Sequence, residues 1–182
     1  MPRIDYLDLE FRHLSDRTDL SSFRCSDHDL EEFLKDDALD SQNNRLSATR
    51  LVYCQDALVG YFTLVNDSLI ADAVSPGDGE RDYPYRKYPA VKVARLATHR
   101  DYERRRIGSN MLIKIFNMLI NISRHTGCRI ITVDATSNAV GFYSKMGFKI
   151  AIQKPGDTMP LYIDFHRFVS EEESRQTTTL ST

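Results

Sequence analysis

Arg104, Arg105 and Arg106 stand directly before Ile107, Gly108 and Ser109, and an apolar helical run follows in RRRIGSNMLIKIF. Three guanidinium groups at such a turn can hold the phosphates of a small cofactor, grip a nucleic-acid backbone, or decorate a solvated helix end. A short loop between strand and helix exposes unpaired amides at the positive end of the helix dipole. Gly108 would let the chain approach an anion closely, and Ser109 offers a hydroxyl. Cations at that end are mildly unfavourable by themselves, so an anionic neighbour makes better sense of them. The chain contains neither Gly-x-Gly-x-x-Gly nor Gly-Lys-Ser/Thr, so neither a dinucleotide fingerprint nor a nucleotide-hydrolysing P-loop is supported.

A second place for chemistry is Tyr143, in NAVGFYSKMGF. On periodicity alone Ala139, Phe142, Tyr143 and Met146 share one helical face, and an aromatic residue on such a face is ordinarily core. His13, His28, His99, His125 and His166 show no ligand spacing such as His-x-x-x-His, so no metal is expected. Cys25, Cys54 and Cys128 are odd in number and far apart, which fits buried thiols in a reducing compartment better than a disulfide framework.

The 182 residues suffice for one well-buried domain, expected over 1–170, and 41% hydrophobic with 27% charged residues is ordinary for a globular protein. The start, MPRIDYLDLEFRHL, interleaves charge throughout, and no run approaches the ~20 apolar residues of a membrane span, so a cytoplasmic protein is expected. The net charge of -2 hides a split: residues 1–80 hold 7 Lys+Arg against 17 Asp+Glu, whereas residues 81–130 hold 12 against 3. The middle of the chain attracts anions.

The elements that would position these residues follow from pattern. Leu30, Phe33, Leu34 and Ala38 recur at helical spacing behind Ser26 and Asp27, either of which could cap the helix. Thr49–Cys54 and Leu58–Val65 read as an antiparallel hairpin turning at Gln55 and Asp56. The stretch from Val74 to Tyr88 is rich in turn formers and reads as a surface loop; no basic strand interleaved with aromatics offers bases a stack. PAVKVARLAT alternates as a strand, Met111 to Ile122 keeps helical period with Gly127 as its cap, and CRIITVDA is a short buried strand. A helix from Asn138 to Gly147 and strands at FKIAI and LYIDFHRF complete the order. The tail 171–182 has almost nothing to bury and is expected to be disordered. Parallel pairing of the PAVKVARLAT and CRIITVDA strands would make a right-handed crossover.

From Pro89 to Phe148, VARLATHRDYERRRIGSNMLIKI and VDATSNAVGFYSKMGF resemble the two central motifs of the GNAT acetyltransferases. The resemblance implies a mixed α/β fold whose central, twisted mixed sheet of six to seven strands is flanked by helices. It implies that Leu96, Ala97 and Thr98 bond the pantetheine arm of acetyl-CoA, a cosubstrate needing no metal. Arg104, Arg105, Arg106, Ile107, Gly108 and Ser109 would then wrap the pyrophosphate. Against the family's Gln/Arg-x-x-Gly-x-Gly/Ala loop, Glu103 falls on the first position and Arg106 on the first glycine, so Gly108 alone keeps the pair. Asn138, Phe142, Tyr143, Lys145, Gly147 and Phe148 match the second motif, in which the asparagine lies near the cofactor and the tyrosine protonates the departing thiolate.

FRCSDHDLEEFL also resembles the opening of the GNAT branch used as toxins in toxin–antitoxin pairs, which acetylate the amino group of aminoacyl-tRNA. The implied activity is acetyl transfer to a primary amine by direct attack in a ternary complex. The implied partners are the amine acceptor, tRNA, a small antitoxin protein and a second copy of the chain in a homodimer. Two alternatives stay open: an acetyltransferase of a small amine or protein lysine, to which the acidic first zone is suited, and a non-catalytic acyl-CoA-binding module.

Overall fold

The computed structural model describes residues 2–152 and 156–166, so the expected tail at 171–182 lies outside the described residues. Seven strands form one mixed sheet: β1 (Leu9–His13), β2 (Ala48–Cys54), β3 (Ala57–Ile70), β4 (Lys87–Thr98), β5 (Ile130–Ala135), β6 (Lys149–Ile150) and β7 (Met159–Asp164). Their order is β1-β2-β3-β4-β5-β7-β6. The β1–β2, β2–β3, β5–β7 and β6–β7 pairs are antiparallel, whereas β4 and β5 run parallel. The helices are α1 (His28–Glu32), α2 (Ala38–Asn43), α3 (Ile107–Ser123) and α4 (Ser137–Lys145), so the α/β architecture matches the sequence reading.

The described residues divide into two compact units, one within 2–65 and 93–115, the other within 66–92 and 116–166. In the first, Leu14, Phe23, Leu34, Ala38, Leu51, Leu58, Tyr61 and Ala97 form one apolar cluster. This is where the amphipathic face of the first helical segment goes. Asp27 caps α1 by accepting from the Leu30 amide at 3.2 Å. The segment is not one regular helix, however, because a wide π-type turn at Phe33–Asp37 separates α1 from α2. The Tyr61 hydroxyl donates to Leu30 O at 2.5 Å, tying strand β3 to this helix. In the second unit, Leu69, Ala73, Tyr88, Ala90, Ile130, Ala151 and Tyr162 form another cluster.

Other elements also depart from the sequence reading, the strand expected at FKIAI being only Lys149–Ile150. β1 was hidden in the charged N-terminal stretch, where Leu9 is buried while Glu10 and Arg12 face water, the alternation of a strand at the sheet's edge. β3 runs five residues past Val65 because Asp67, which breaks the apolar run, is satisfied by the Thr132 hydroxyl at 2.5 Å and by Lys92 at 3.6 Å. Helix α3 ends at Ser123 rather than at Gly127: the amides of Arg124, His125 and Thr126 bond back to Asn121 and Ile122, and Gly127 is not among the positive-φ glycines. Gly147, by contrast, adopts φ +92° just after α4 and stops that helix as expected.

Candidate acetyl-transfer site

The β4–β5 ladder runs from Ala90↔Ile130 to Lys92↔Thr132, and β4 then continues for six residues to Thr98. The far end of β4 therefore leaves the ladder with a row of peptide groups on that edge. Leu96 and Thr98 are half-buried, and Ala97 is in the first unit's core. Ala97 can therefore serve a ligand through its backbone only. The strand's end is fixed from its other side, where the His99 amide donates to Val59 O at 2.8 Å. The next residue in β3, Gly60, has no side chain for a spatial reason: a Cβ there would lie 2.9 Å from Ala97 O.

Beyond Thr98 the chain makes a 3-10 turn at Arg100–Tyr102 and enters the arginine loop. Arg104 and Arg106 both hold left-handed backbone, at φ 60° and 69°. Arg106 thus holds a backbone region that favours glycine, at a strain cost of roughly 1 kcal/mol. The loop is also clamped from the N-terminus: Arg105 Nε donates to Pro2 O at 3.1 Å, Ile4 N to Arg105 O at 3.0 Å, and buried Asn110 Nδ2 to Ile4 O at 3.0 Å. Arg105 additionally lies over the Tyr102 ring at 5.2 Å. Among the described residues, Arg104 and Arg106 form neither an ion pair nor a side-chain hydrogen bond, so their guanidinium groups remain available.

The Asn110 amide bonds back to Arg106 O at 3.0 Å. The amides before it, of Ile107, Gly108 and Ser109, have no turn of helix behind them to accept, and the first turn carries no acidic residue. This is the arrangement expected of an anion-binding helix start. Glu103, one residue before the arginines, accepts a hydrogen bond from the Ser26 hydroxyl, linking the loop to the residues ahead of α1. If Arg106 acts through its charge, Arg106→Ala and Arg106→Gly should both weaken acetyl-CoA binding about tenfold in calorimetry, the scale of one charge-assisted contact. The glycine variant should keep its stability within about 1 kcal/mol, because relief of strain offsets a freer unfolded chain.

In the second unit, Asn138 and Tyr143 sit on α4, which packs on β5 and β7. Asn138 is exposed, one residue into the helix. Tyr143 is only 6% exposed, its ring edge-on to Phe148 at 5.4 Å and to Phe142 at 5.0 Å. The plain reading of the helical face is therefore correct for the ring. The hydroxyl is different. It has no hydrogen-bond partner among the described residues, and the only fully buried side-chain polar atom lacking one there is Ser47 Oγ, so the phenol oxygen keeps contact with solvent. Burial pushes the phenol's pKa up to about 12, which keeps it a proton donor through the physiological range. The structure thus brings Leu96–Ser109 together within one unit and Asn138 with Tyr143 within the other.

Sequence reasoning missed the Pro2–Ile4 clamp, which no local pattern announces, and a cavity of about 680 Å³ in the first unit, whose lining includes Arg12, Arg17, Asp19, Tyr53, His99 and Tyr102. None of the residues expected to hold acetyl-CoA lines that cavity. His28, Asp29 and Glu32 present possible metal-ligand atoms within 4.8 Å of one another, all exposed on α1. Positions i,i+3 and i,i+4 on a helix surface, as Asp29 and His28 are to Glu32, meet in this way without a metal.

A family model described as an acetyltransferase (GNAT) domain matches residues 50–150. The chain is also 29% identical, over 163 residues, to a tRNA-acetylating toxin of Mycobacterium tuberculosis (strain ATCC 25618 / H37Rv), covering 88% of this chain and 96% of the relative. Among solved structures it resembles AtaT complexed with acetyl-methionyl-tRNAfMet, with a TM-score of 0.79 at 22% identity over 88% of this chain and 97% of that one. It also resembles a tyrosine-to-phenylalanine mutant of AtaT bound to the C-terminus of the antitoxin AtaR and acetyl-CoA, with a TM-score of 0.69 at 22% identity over 86% and 93%. The matched family segment holds β4, the arginine loop, the amides at the start of α3 and the tyrosine of α4, and this chain belongs to the GNAT acetyltransferases.

Proposed function

We propose that the protein is a toxin that transfers the acetyl group of acetyl-CoA to the α-amino group of an aminoacyl-tRNA. The observation that carries the acceptor is the relation, nearly end to end, to the tRNA-acetylating toxin. In this reading the exposed edge of β4 at Leu96–Thr98 bonds the amides of the pantetheine arm as a further strand would. The Ile107, Gly108 and Ser109 amides with Arg104 and Arg106 neutralise the diphosphate, Arg105 shapes the loop, and Asn138 lies beside the coenzyme.

The neutral amine attacks the thioester carbonyl, and the developing oxyanion takes a hydrogen bond from a backbone amide of Leu96–Thr98. As the tetrahedral centre collapses, the C–S bond breaks, the electron pair goes to sulfur, and the Tyr143 hydroxyl delivers its proton there. The proton lost by the attacking nitrogen restores the phenol. A pKa of about 12 suits a donor that must not ionise before sulfur becomes basic.

This reading makes a small antitoxin protein the natural partner, and the cytoplasm, where charged tRNA resides, the place of action. No described helix is long and apolar enough to cross a membrane. The test supplies purified protein and labelled acetyl-CoA with charged tRNA, a lysine peptide and a polyamine. Label should appear on charged tRNA and, after mild alkaline hydrolysis, on the released N-acetylamino acid. Label on the peptide or polyamine alone would replace the acceptor, and label on none would leave only coenzyme binding.

A further inference from the structure

The segment expected to be a surface loop is one up to the start of β4 at Lys87, and it carries a row of packed aromatic rings. Tyr83 stacks on Tyr88 with ring centroids 3.9 Å apart and planes 19° from parallel, and Tyr85 meets Tyr83 edge-on at 5.5 Å. Exposure rises along this row: Tyr88 is 3% exposed, Tyr83 is half-buried, and Tyr85 is 68% exposed.

The base beneath Tyr85 is fixed by polar contacts. The Tyr88 hydroxyl accepts from the Glu80 amide at 2.8 Å, and the Tyr83 hydroxyl donates to Lys87 O at 3.1 Å. Gly79 N donates to Asp164 at 2.8 Å, while Asp78 accepts from both Lys149 at 2.7 Å and the Tyr162 hydroxyl at 2.8 Å. Gly79, at φ +72°, is required here, since a Cβ would lie 2.7 Å from the Tyr88 hydroxyl. A ring held on such a base loses little freedom on covering a ligand.

The charge around Tyr85 points to the occupant. Arg129 and Lys149, in the same unit, are consumed by Glu80, Asp164 and Asp78. Lys92 is held by Asp134 at 2.9 Å and by Asp67; burial works against its charge, but these carboxylates outweigh it and raise its pKa. Arg81, Arg86 and Lys87 are exposed and form no ion pair among the described residues. An exposed ring whose chain neighbours Arg81, Arg86 and Lys87 carry unpaired charge, with Asp82 exposed beside them and Glu80 held by Arg129, matches unpaired nucleotides, whose bases stack and whose phosphates need neutralising.

We propose that Tyr85, with Arg81, Arg86 and Lys87, is a docking platform for unpaired nucleotides of the RNA carrying the acceptor amine. The proposal rests on the aminoacyl-tRNA reading for its biological ligand. Its physical content is separate, because the platform binds single-stranded RNA whatever the acceptor proves to be.

The test measures fluorescence anisotropy of a labelled single-stranded RNA octamer, and of a duplex of equal length, against the full chain and three variants. Tyr85→Ala should weaken single-strand binding roughly 5- to 100-fold, and Tyr85→Trp should restore it. Arg86→Ala with Lys87→Ala should weaken it and lower the salt slope by roughly 1.4, near 0.7 per phosphate contact. With charged tRNA, Tyr85→Ala should raise KM for the tRNA while leaving kcat and KM for acetyl-CoA unchanged. An unaltered octamer affinity, a loss that tryptophan fails to restore, or an equal loss on the duplex would overturn the platform. If the wild-type protein binds the octamer through Tyr85 yet acetylates no charged tRNA, the acceptor assignment fails and the platform stands.

Discussion

Replacing Tyr143 by phenylalanine is expected to lower kcat by about 10²- to 10⁴-fold, the range of a general acid, which is about 3–5 kcal/mol of barrier. The ring that packs on Phe142 and Phe148 is retained, and the lost hydroxyl has no partner among the described residues. Stability and acetyl-CoA affinity should therefore stay close to wild type, which calorimetry and thermal melts would check. A parallel loss of coenzyme affinity would make the tyrosine a binding group instead. The ultraviolet difference titration between the two proteins should show one tyrosine ionising near 12 in the wild type. The sign for stability follows from the same number. The folded phenol holds its proton while the unfolded one releases it above 10, so this contribution is intact below pH 10 and lost between 10 and 12.

Gly60→Ala is expected to cost about 1–3 kcal/mol of stability, as overpacking does. The added methyl would lie 2.9 Å from Ala97 O, a backbone atom that cannot swing aside as a side chain can. Ile107 Cγ2 and Met111 Cε stand at 3.4 Å on the same spot, so displacement reaches both the end of β4 and the first turn of α3. Acetyl-CoA affinity should fall with stability, because those two elements carry the groups proposed to hold it. Urea unfolding and calorimetry on one preparation would show whether the two losses move together. A destabilised variant that binds normally would separate strand position from coenzyme binding.

The parts of the fold read correctly from sequence are those whose signal is local. The helix from Ile107 and the strand into Thr98 have strong periodicity, and the helix stop at Gly147 needs only one left-handed residue. What stayed hidden depends on partners far along the chain. The polar end of β3 is a strand because Thr132 and Lys92 satisfy Asp67, and the tyrosine loop is rigid because Asp164, Lys149 and Tyr162 hold it. For the candidate site, residue type pointed to Gly108 and the arginines, and the structure puts them at the start of α3. Residue type could not reveal that Arg106 would take left-handed backbone, since most side chains avoid that region. The ring of Tyr143 is buried as a helical face suggests, and the role proposed for it rests on one oxygen that periodicity does not see.

The arginine loop is laced to the beginning of the chain by bonds spanning 103 and 106 positions. Closing so long a span is entropically costly, so the turn acquires its final shape only after distant parts of the polypeptide have met. Thermodynamic reciprocity then applies to it: whatever the tethering of Pro2 and Ile4 contributes to gripping a diphosphate, the diphosphate returns in equal measure to the tethering. On the proposed reading, filling the arginine loop with the coenzyme and fastening Pro2 and Ile4 to it are two expressions of one equilibrium.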